Sequence, residues 1–98
     1  MNTELVQYAR DRKGNPIGVV MAIKATVGSS VRISWSACCK HDEFNKEKGK
    51  QIARARAYTG TAAIIPRKFR PIVEKMYDRA VDYFKTNLVD YSFVMPTE

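Results

Sequence analysis

The chain is poor in the residues from which small catalytic and metal centres are built. It holds one histidine, His41, and two cysteines, the adjacent Cys38 and Cys39. Adjacent cysteines strain the backbone if they bond each other, and two are too few for the disulfide framework of a small secreted domain. They read as reduced thiols. Cys38, Cys39, His41 and Asp42 fall within five residues. A structural zinc site, however, needs four ligands with wider pair spacing, and no second ligand pair exists here. A Cys–His nucleophile pair would also need an oxyanion hole that nothing in the sequence suggests. His41 reads better as a surface residue beside a helix cap. There is no Gly-rich phosphate loop, no G-x-S-x-G and no paired-carboxylate constellation. The sequence therefore points away from an enzyme, and it implies no metal and no cofactor.

Long apolar runs are missing too. None approaches the ~20 residues needed to cross a bilayer, and Met1 to Arg10 has no apolar signal-peptide core. Both features favour a cytoplasmic protein without membrane attachment. Repeats, low-complexity tracts and linkers are absent, so the 98 residues are expected to form one domain spanning 1–98.

Positive charge is what the chain does have. Lysine and arginine number 17 against 10 acids, a net charge of +7. The excess is local. Residues 40–70 carry nine basic side chains and three acids, which makes that segment +6, whereas residues 71–98 are −2. A concentrated cationic surface is a physical reason to expect a polyanionic partner, most often nucleic acid.

Hydrophobic alternation lays out the first half. Leu5 to Arg10 reads as a short strand, followed by a turn over Asp11 to Pro16. Ile17 to Ala25 alternates with period two, placing Ile17, Val19, Met21 and Ile23 on one face. After a turn at Val27 to Ser30, Val31 to Ala37 alternates again, with Val31, Ile33 and Trp35 on its apolar side. The second half is helical. Asp42 or Asn45 can cap a helix reaching about Tyr58, with Phe44, Ile52, Ala55 and Tyr58 near one stripe and Gly60 as its stop. Gly49 weakens this helix unless it marks close packing against another backbone. Pro71 opens a second helix from Ile72 to about Leu88, whose apolar face is Val73, Met76, Tyr77, Ala80, Val81, Phe84 and Leu88. Tyr91 to Val94 reads either as a short edge strand or as a tail packed on the rest. The expected fold is α+β, a three-stranded antiparallel β-meander followed by two helices (β-β-β-α-α), with the helices covering the apolar face of the sheet.

On this layout Lys46, Lys50 and Arg54 recur every four residues and form one row on the first helix. With Lys48 and Arg56, and with Arg67, Lys68 and Arg70 as a flank between the helices, they are the candidate nucleic-acid-binding residues. Most such contacts would go to phosphate, giving salt-dependent affinity and little sequence readout. A solvated basic face with no ligand is the plainer alternative. Among the aromatics, Trp35 belongs to the core, and Phe69 is the better candidate for a base-stacking ring, although a core anchor suits it more.

The stretch Ile33-Ser34-Trp35-Ser36-Ala37-Cys38-Cys39-Lys40-His41-Asp42-Glu43-Phe44-Asn45-Lys46, continuing through Gly49, Ile52, Ala53, Arg54 and Ala55, resembles a family of small bacteriophage proteins of no firmly assigned function. Their pattern is strand-S-x-C, then D-x-F-x-K, then G-x-x-I-A, then R-A, and it covers about a quarter of the chain. The resemblance implies a phage origin and action in the cytoplasm of the infected bacterium, and it carries no catalytic residues. Physically the pattern reads as a fold signature, in which Asp42 caps, Phe44 plugs the core and Gly49 lets helix and strand approach.

Two function classes follow. The first is a nucleic-acid-binding module for DNA or RNA. The second is a phage effector that binds and inhibits a host protein through that protein's acidic surface, because acidic proteins and nucleic acids attract the same side chains. A homodimer joined through a strand edge or the last helix is compatible with either.

Overall fold

A computed structural model describes residues 3–25, 28, 30–37, 44–60 and 63–97. Strands β1 (Glu4–Arg10), β2 (Pro16–Lys24) and β3 (Val31–Ala37) form the anticipated antiparallel meander. The β1–β2 turn is held by Asp11, whose Oδ1 accepts from the backbone N–H groups of Lys13 and Asn15, both at 2.9 Å. A bulge at Ala9/Arg10 closes the ladder there.

The two apolar stripes of β2 and β3 do not share a face. Val20 lies opposite Trp35 and Ala22 opposite Ile33, so the Val31, Ile33 and Trp35 side of β3 meets the even-numbered side of β2. Val19, Met21 and Ile23 project the other way, into a separate cluster with Ala53 and Ala57. Strand β2 is consequently buried on both faces. The expectation of one apolar face under two helices is corrected on this point: helix α1 (Lys46–Thr59) packs on one side of the sheet and helix α2 (Arg70–Phe84) on the other.

Asn45 caps α1, its side chain accepting from the N–H of Lys48 at 3.0 Å, and Gly60 terminates the helix. The buried face of α1 is Gly49, Ala53 and Ala57, a stripe of small residues at four-residue spacing. The anticipated stripe of Ile52, Ala55 and Tyr58 is instead exposed, with Tyr58 at 72%. Small side chains bring the helix axis close to the sheet. A Cβ on Gly49 would lie 2.8 Å from the Phe44 ring and 3.2 Å from Ser36 Oγ. The Ser36 hydroxyl donates to the Gly49 carbonyl at 2.7 Å. Asp42, the other candidate cap, lies outside the described residues, as do Cys38, Cys39, Lys40 and His41.

Helix α2 keeps to its pattern. Pro71 sits in its first turn, and Val73, Met76, Ala80 and Phe84 are buried while Tyr77 and Val81 pack at the margin. The helix ends at Phe84, with Lys85 in the left-handed conformation at φ 54°, so Leu88 falls beyond it and is 59% exposed. A fourth strand, β4 (Val89–Tyr91), then joins β3 in parallel, giving the order β1-β2-β3-β4. The fold is α+β with a mixed four-stranded sheet, one strand more than the meander alone. A parallel neighbour requires a long crossover, and here it carries both helices.

Gly18 is where the second layer comes closest. A Cβ there would lie 2.5 Å from Phe69 Cζ and 2.8 Å from the Ser36 carbonyl oxygen, and the backbone oxygen cannot yield. Gly18→Ala should destabilise the fold by about 1–3 kcal/mol through overpacking, read as a lower urea midpoint at unchanged slope. A midpoint equal to that of the parent chain would contradict this packing.

Candidate nucleic-acid interface

Both helices run antiparallel to β3, and this decides where the cations go. Near its start α1 touches Ser36 through the Gly49 carbonyl; near its end Arg32 Nη1 donates to the Ala57 carbonyl at 2.9 Å. Helix α2 begins where Phe69 contacts Gly18 and meets Trp35 edge-on at 5.6 Å, and further along Arg79 reaches Gln7 on β1. Both helix N-termini therefore lie at the end of the sheet where β3 finishes. Gly18 pairs with Ala37 and Arg10 with Pro16, so the β1–β2 hairpin occupies that end as well.

Three groups of cations converge there. The hairpin brings Arg10, Arg12 and Lys13; the start of α1 brings Lys46, Lys48 and Lys50; the 3-10 turn Arg67–Phe69 and the start of α2 bring Arg67, Lys68 and Arg70. The two helix dipoles add partial positive charge at the same end. The acids among the described residues of these segments are Asp11, Glu47 and Glu74.

Some cations have work inside the fold. Lys50 Nζ lies 2.8 Å from Glu47, which raises the Lys50 pKa and lowers that of Glu47. Arg70 pairs with Glu74 at 3.2 Å. Arg54 makes a bidentate bond to Glu4 on β1, at 2.7 and 3.0 Å, and its pKa is raised by that carboxylate. Arg54 therefore ties α1 to the sheet margin, and the row of Lys46, Lys50 and Arg54 does not present three free charges. Arg56 also turns inward. Its Nη1 donates to the Trp35 carbonyl at 3.0 Å and its guanidinium covers the indole at 4.8 Å. It closes the part of the β3 edge that β4, paired only as far as Ile33, leaves open.

The remaining candidates face outward. Lys48, Arg67 and Lys68 are exposed, with Lys68 Nζ 5.9 Å from the Phe69 ring centre. Lys46 is exposed and its ammonium sits 4.9 Å over the Tyr8 ring. Phe69 is fully buried and Trp35 is 9% exposed, so neither is available for base stacking. Arg10, Arg12 and Lys13 had no place in the candidate set drawn from the central segment. Their signal is topological: in an up-and-down meander the first hairpin and the end of the third strand share one end of the sheet.

Among the described residues no group of histidine, cysteine, aspartate and glutamate could hold a metal ion, and no helix is long and apolar enough to cross a membrane. Comparison with protein-family models, with curated proteins and with solved structures gives no match.

Two measurements check this electrostatic arrangement. The Glu4–Arg54 pair is about a third exposed on each side (28% and 36%), so solvent screens it, and a double-mutant cycle should return a coupling of roughly 0.5–1 kcal/mol; zero coupling would mean that the pair does not tie α1 to β1. The Asp11 carboxyl is held below its ordinary value by the N–H groups of Asn15 and Lys13. A depressed folded pKa contributes stability above the unfolded value near 3.8 that is lost as the pH falls through the folded pKa. In an NMR titration the Lys13 and Asn15 amides should shift together with Asp11, at a lower midpoint than a free aspartate. An ordinary midpoint would rule out these bonds as the anchor of the hairpin.

Proposed function

We propose that this is a small, non-enzymatic, phage-type protein that binds nucleic acid mainly through phosphate contacts and acts in the cytoplasm of the infected bacterium. One observation carries the reading: exposed cations from three separate segments, together with two helix N-termini, converge on one end of the sheet. Phosphate is the chemistry such a surface suits, because lysine offers a point charge, arginine a planar fork, and the two helix dipoles partial positive charge. The contacting residues on this reading are Lys46, Lys48, Arg67 and Lys68 of the original set, joined by Arg12 and Lys13. Lys50 and Arg70 lend charge from within ion pairs, and Arg54 and Arg56 serve chiefly to hold the surface in place. With few aromatic rings exposed at this end, recognition rests on the backbone and is indifferent to sequence.

A second reading, binding and inhibition of a host protein, is favoured by a different observation. Ile64, Leu88, Tyr91 and Val94 are exposed apolar side chains grouped about the β4 side of the sheet, with Ile64 bridged to Val94. Exposed apolar groups gathered in this way mark protein contact surfaces.

Fluorescence anisotropy with labelled DNA and RNA across a salt series tests the first reading. Affinity should fall steeply with salt, and a variant carrying Arg12→Glu, Lys13→Glu, Lys48→Glu and Lys68→Glu should bind at least about tenfold more weakly while melting as the parent does. Equal binding by that variant would end the proposal. Capture from bacterial lysate with and without nuclease separates the readings: a defined partner that survives nuclease and is lost on Leu88→Ser with Val94→Ser supports the second.

A further inference from the structure

We propose that the polyanion is duplex DNA, with the β1–β2 hairpin lying in its major groove and the cations at the two helix starts resting on the phosphate strands that border the groove. This inference deepens the nucleic-acid reading above and rests on it. The layer order supplies the geometry. Tyr8, under the Lys46 ammonium, belongs to the α1 side of the sheet, and Phe69, packed against Gly18, belongs to the α2 side. Lys46 and Lys48 therefore stand on one face of the hairpin, and Arg67 and Lys68 on the other. Packed layers lie about 10 Å apart, so the two cation groups are separated by roughly 20 Å with a two-stranded ribbon midway between them. The ribbon also projects. Gly49 is level with the Val19 and Tyr8 pair through its bond to Ser36. Lys46 lies about 5 Å further out along the helix axis, whereas the strands run on for roughly 10–13 Å to the turn. Every residue from Arg10 to Asn15 is exposed. The tip is also fixed: Asp11 N–H donates to the Asn15 carbonyl at 2.9 Å, Gly14 N–H to the Asp11 carbonyl at 3.0 Å, and Arg10 Nη1 to the Gly14 carbonyl at 2.8 Å. Its one acid, Asp11, turns Oδ1 into the loop, and three cations against that acid leave the tip at +2.

A preformed ribbon flanked by cations on both faces selects among nucleic acids by shape. The major groove of B-form DNA is about 12 Å wide and 8.5 Å deep and admits a two-stranded ribbon, with a phosphate strand on each rim. The minor groove, about 6 Å wide, is too narrow for a ribbon whose strands alone are about 4.8 Å apart. The major groove of duplex RNA is deep and narrow, which shuts the hairpin out. A single strand has no second rim for the other cation group, and its bases ask for exposed rings. Phe69 is fully buried, Trp35 is 9% exposed, and Tyr8 is half-buried beneath Lys46. On this geometry the rims carry the affinity, and the hairpin fixes the protein in the groove without selecting a base sequence.

Three probes of one sequence test it at equal salt: a DNA duplex of about 12 base pairs, just over one helical turn, the matching RNA duplex, and the single DNA strand. The DNA duplex should bind at least about tenfold more tightly than either of the others. Dimethyl sulfate then reads the groove, because it methylates guanine N7 in the major groove and adenine N3 in the minor. Saturating protein should protect guanine N7 and leave adenine N3 reactive. In a Cys38→Ser, Cys39→Ser background, a bulky neutral maleimide on Lys13→Cys should weaken duplex binding about tenfold or more. The same label on Asn87→Cys, exposed at the opposite end of the sheet, should leave binding unchanged, and both labelled chains should melt as the parent does. Equal binding to duplex DNA and duplex RNA, tighter binding to the single strand, protection of adenine N3 in place of guanine N7, or tolerance of the label at residue 13 would each overturn the groove assignment while leaving nucleic-acid binding intact. Failure to bind all three probes at low salt would overturn both.

Discussion

Burial of β2 on both faces is the constraint on which the rest of this fold depends. A sheet with one wet face could be covered by a single helix layer. Here Val20 and Ala22 look toward α2 while Val19, Met21 and Ile23 look toward α1, so neither helix can be removed without exposing the middle strand. The two layers are joined to the sheet differently. Helix α2 brings Val73, Met76 and Phe84, together with Phe69 and Ile65 from the segment before it. Helix α1 brings little volume of its own, and its hold comes from proximity. Gly49, Ala53 and Ala57 let it settle onto the strands, Phe44 and Tyr8 fill the margin, and polar ties from Ser36, Arg32 and Arg54 fasten its length.

Those ties explain why net charge and available charge differ. The chain's central segment is strongly cationic, yet several of its cations are structural. Arg54 is matched by Glu4 fifty residues away in sequence, and Arg56 satisfies the Trp35 carbonyl at an edge that the short β4 does not cover. Arginine suits such duties, since its guanidinium can bond, stack and remain charged in a half-buried setting. The lysines are left mostly to solvent, and with Arg12 and Arg67 they make up the surface on which the functional proposal rests. Antiparallel packing of both helices against β3 makes that surface one-ended, because it stacks the two helix starts beside the first hairpin.

The β4 side of the molecule has a different character. Its exposed side chains include Ile64, Leu88, Tyr91 and Val94 alongside the charged Asp90 and Arg32, with Tyr91 stacked on Phe93 at 5.1 Å and tilted toward Tyr77 at 6.2 Å. Burial raises the Tyr91 pKa, with Tyr77, Glu74 and Asp78 adding to the effect, so the phenol is neutral there at physiological pH. A cationic end and an apolar side on one small protein are compatible with one polyanionic and one protein partner.

Alternation and helical period were local properties, and they were legible in the order of residues: the three meander strands, Asn45 as one of two candidate caps, the Gly60 stop and the apolar stripe of α2 as far as Phe84 all follow from neighbours a few positions apart. What local pattern could not express was relative facing. The apolar sides of β2 and β3 each look inward on their own, and only strand register reveals that they look to opposite sides of one sheet. The contact face of α1 was hidden for a related reason, since its small residues score as weakly hydrophobic although they permit the closest approach. The sequence by itself determined how much positive charge the protein carries and in which segment. Tertiary structure alone decided which of those charges are free, because the acid that holds Arg54, the carbonyl that holds Arg56 and the hairpin that supplies Arg12 and Lys13 are all distant along the chain and adjacent only once it is folded.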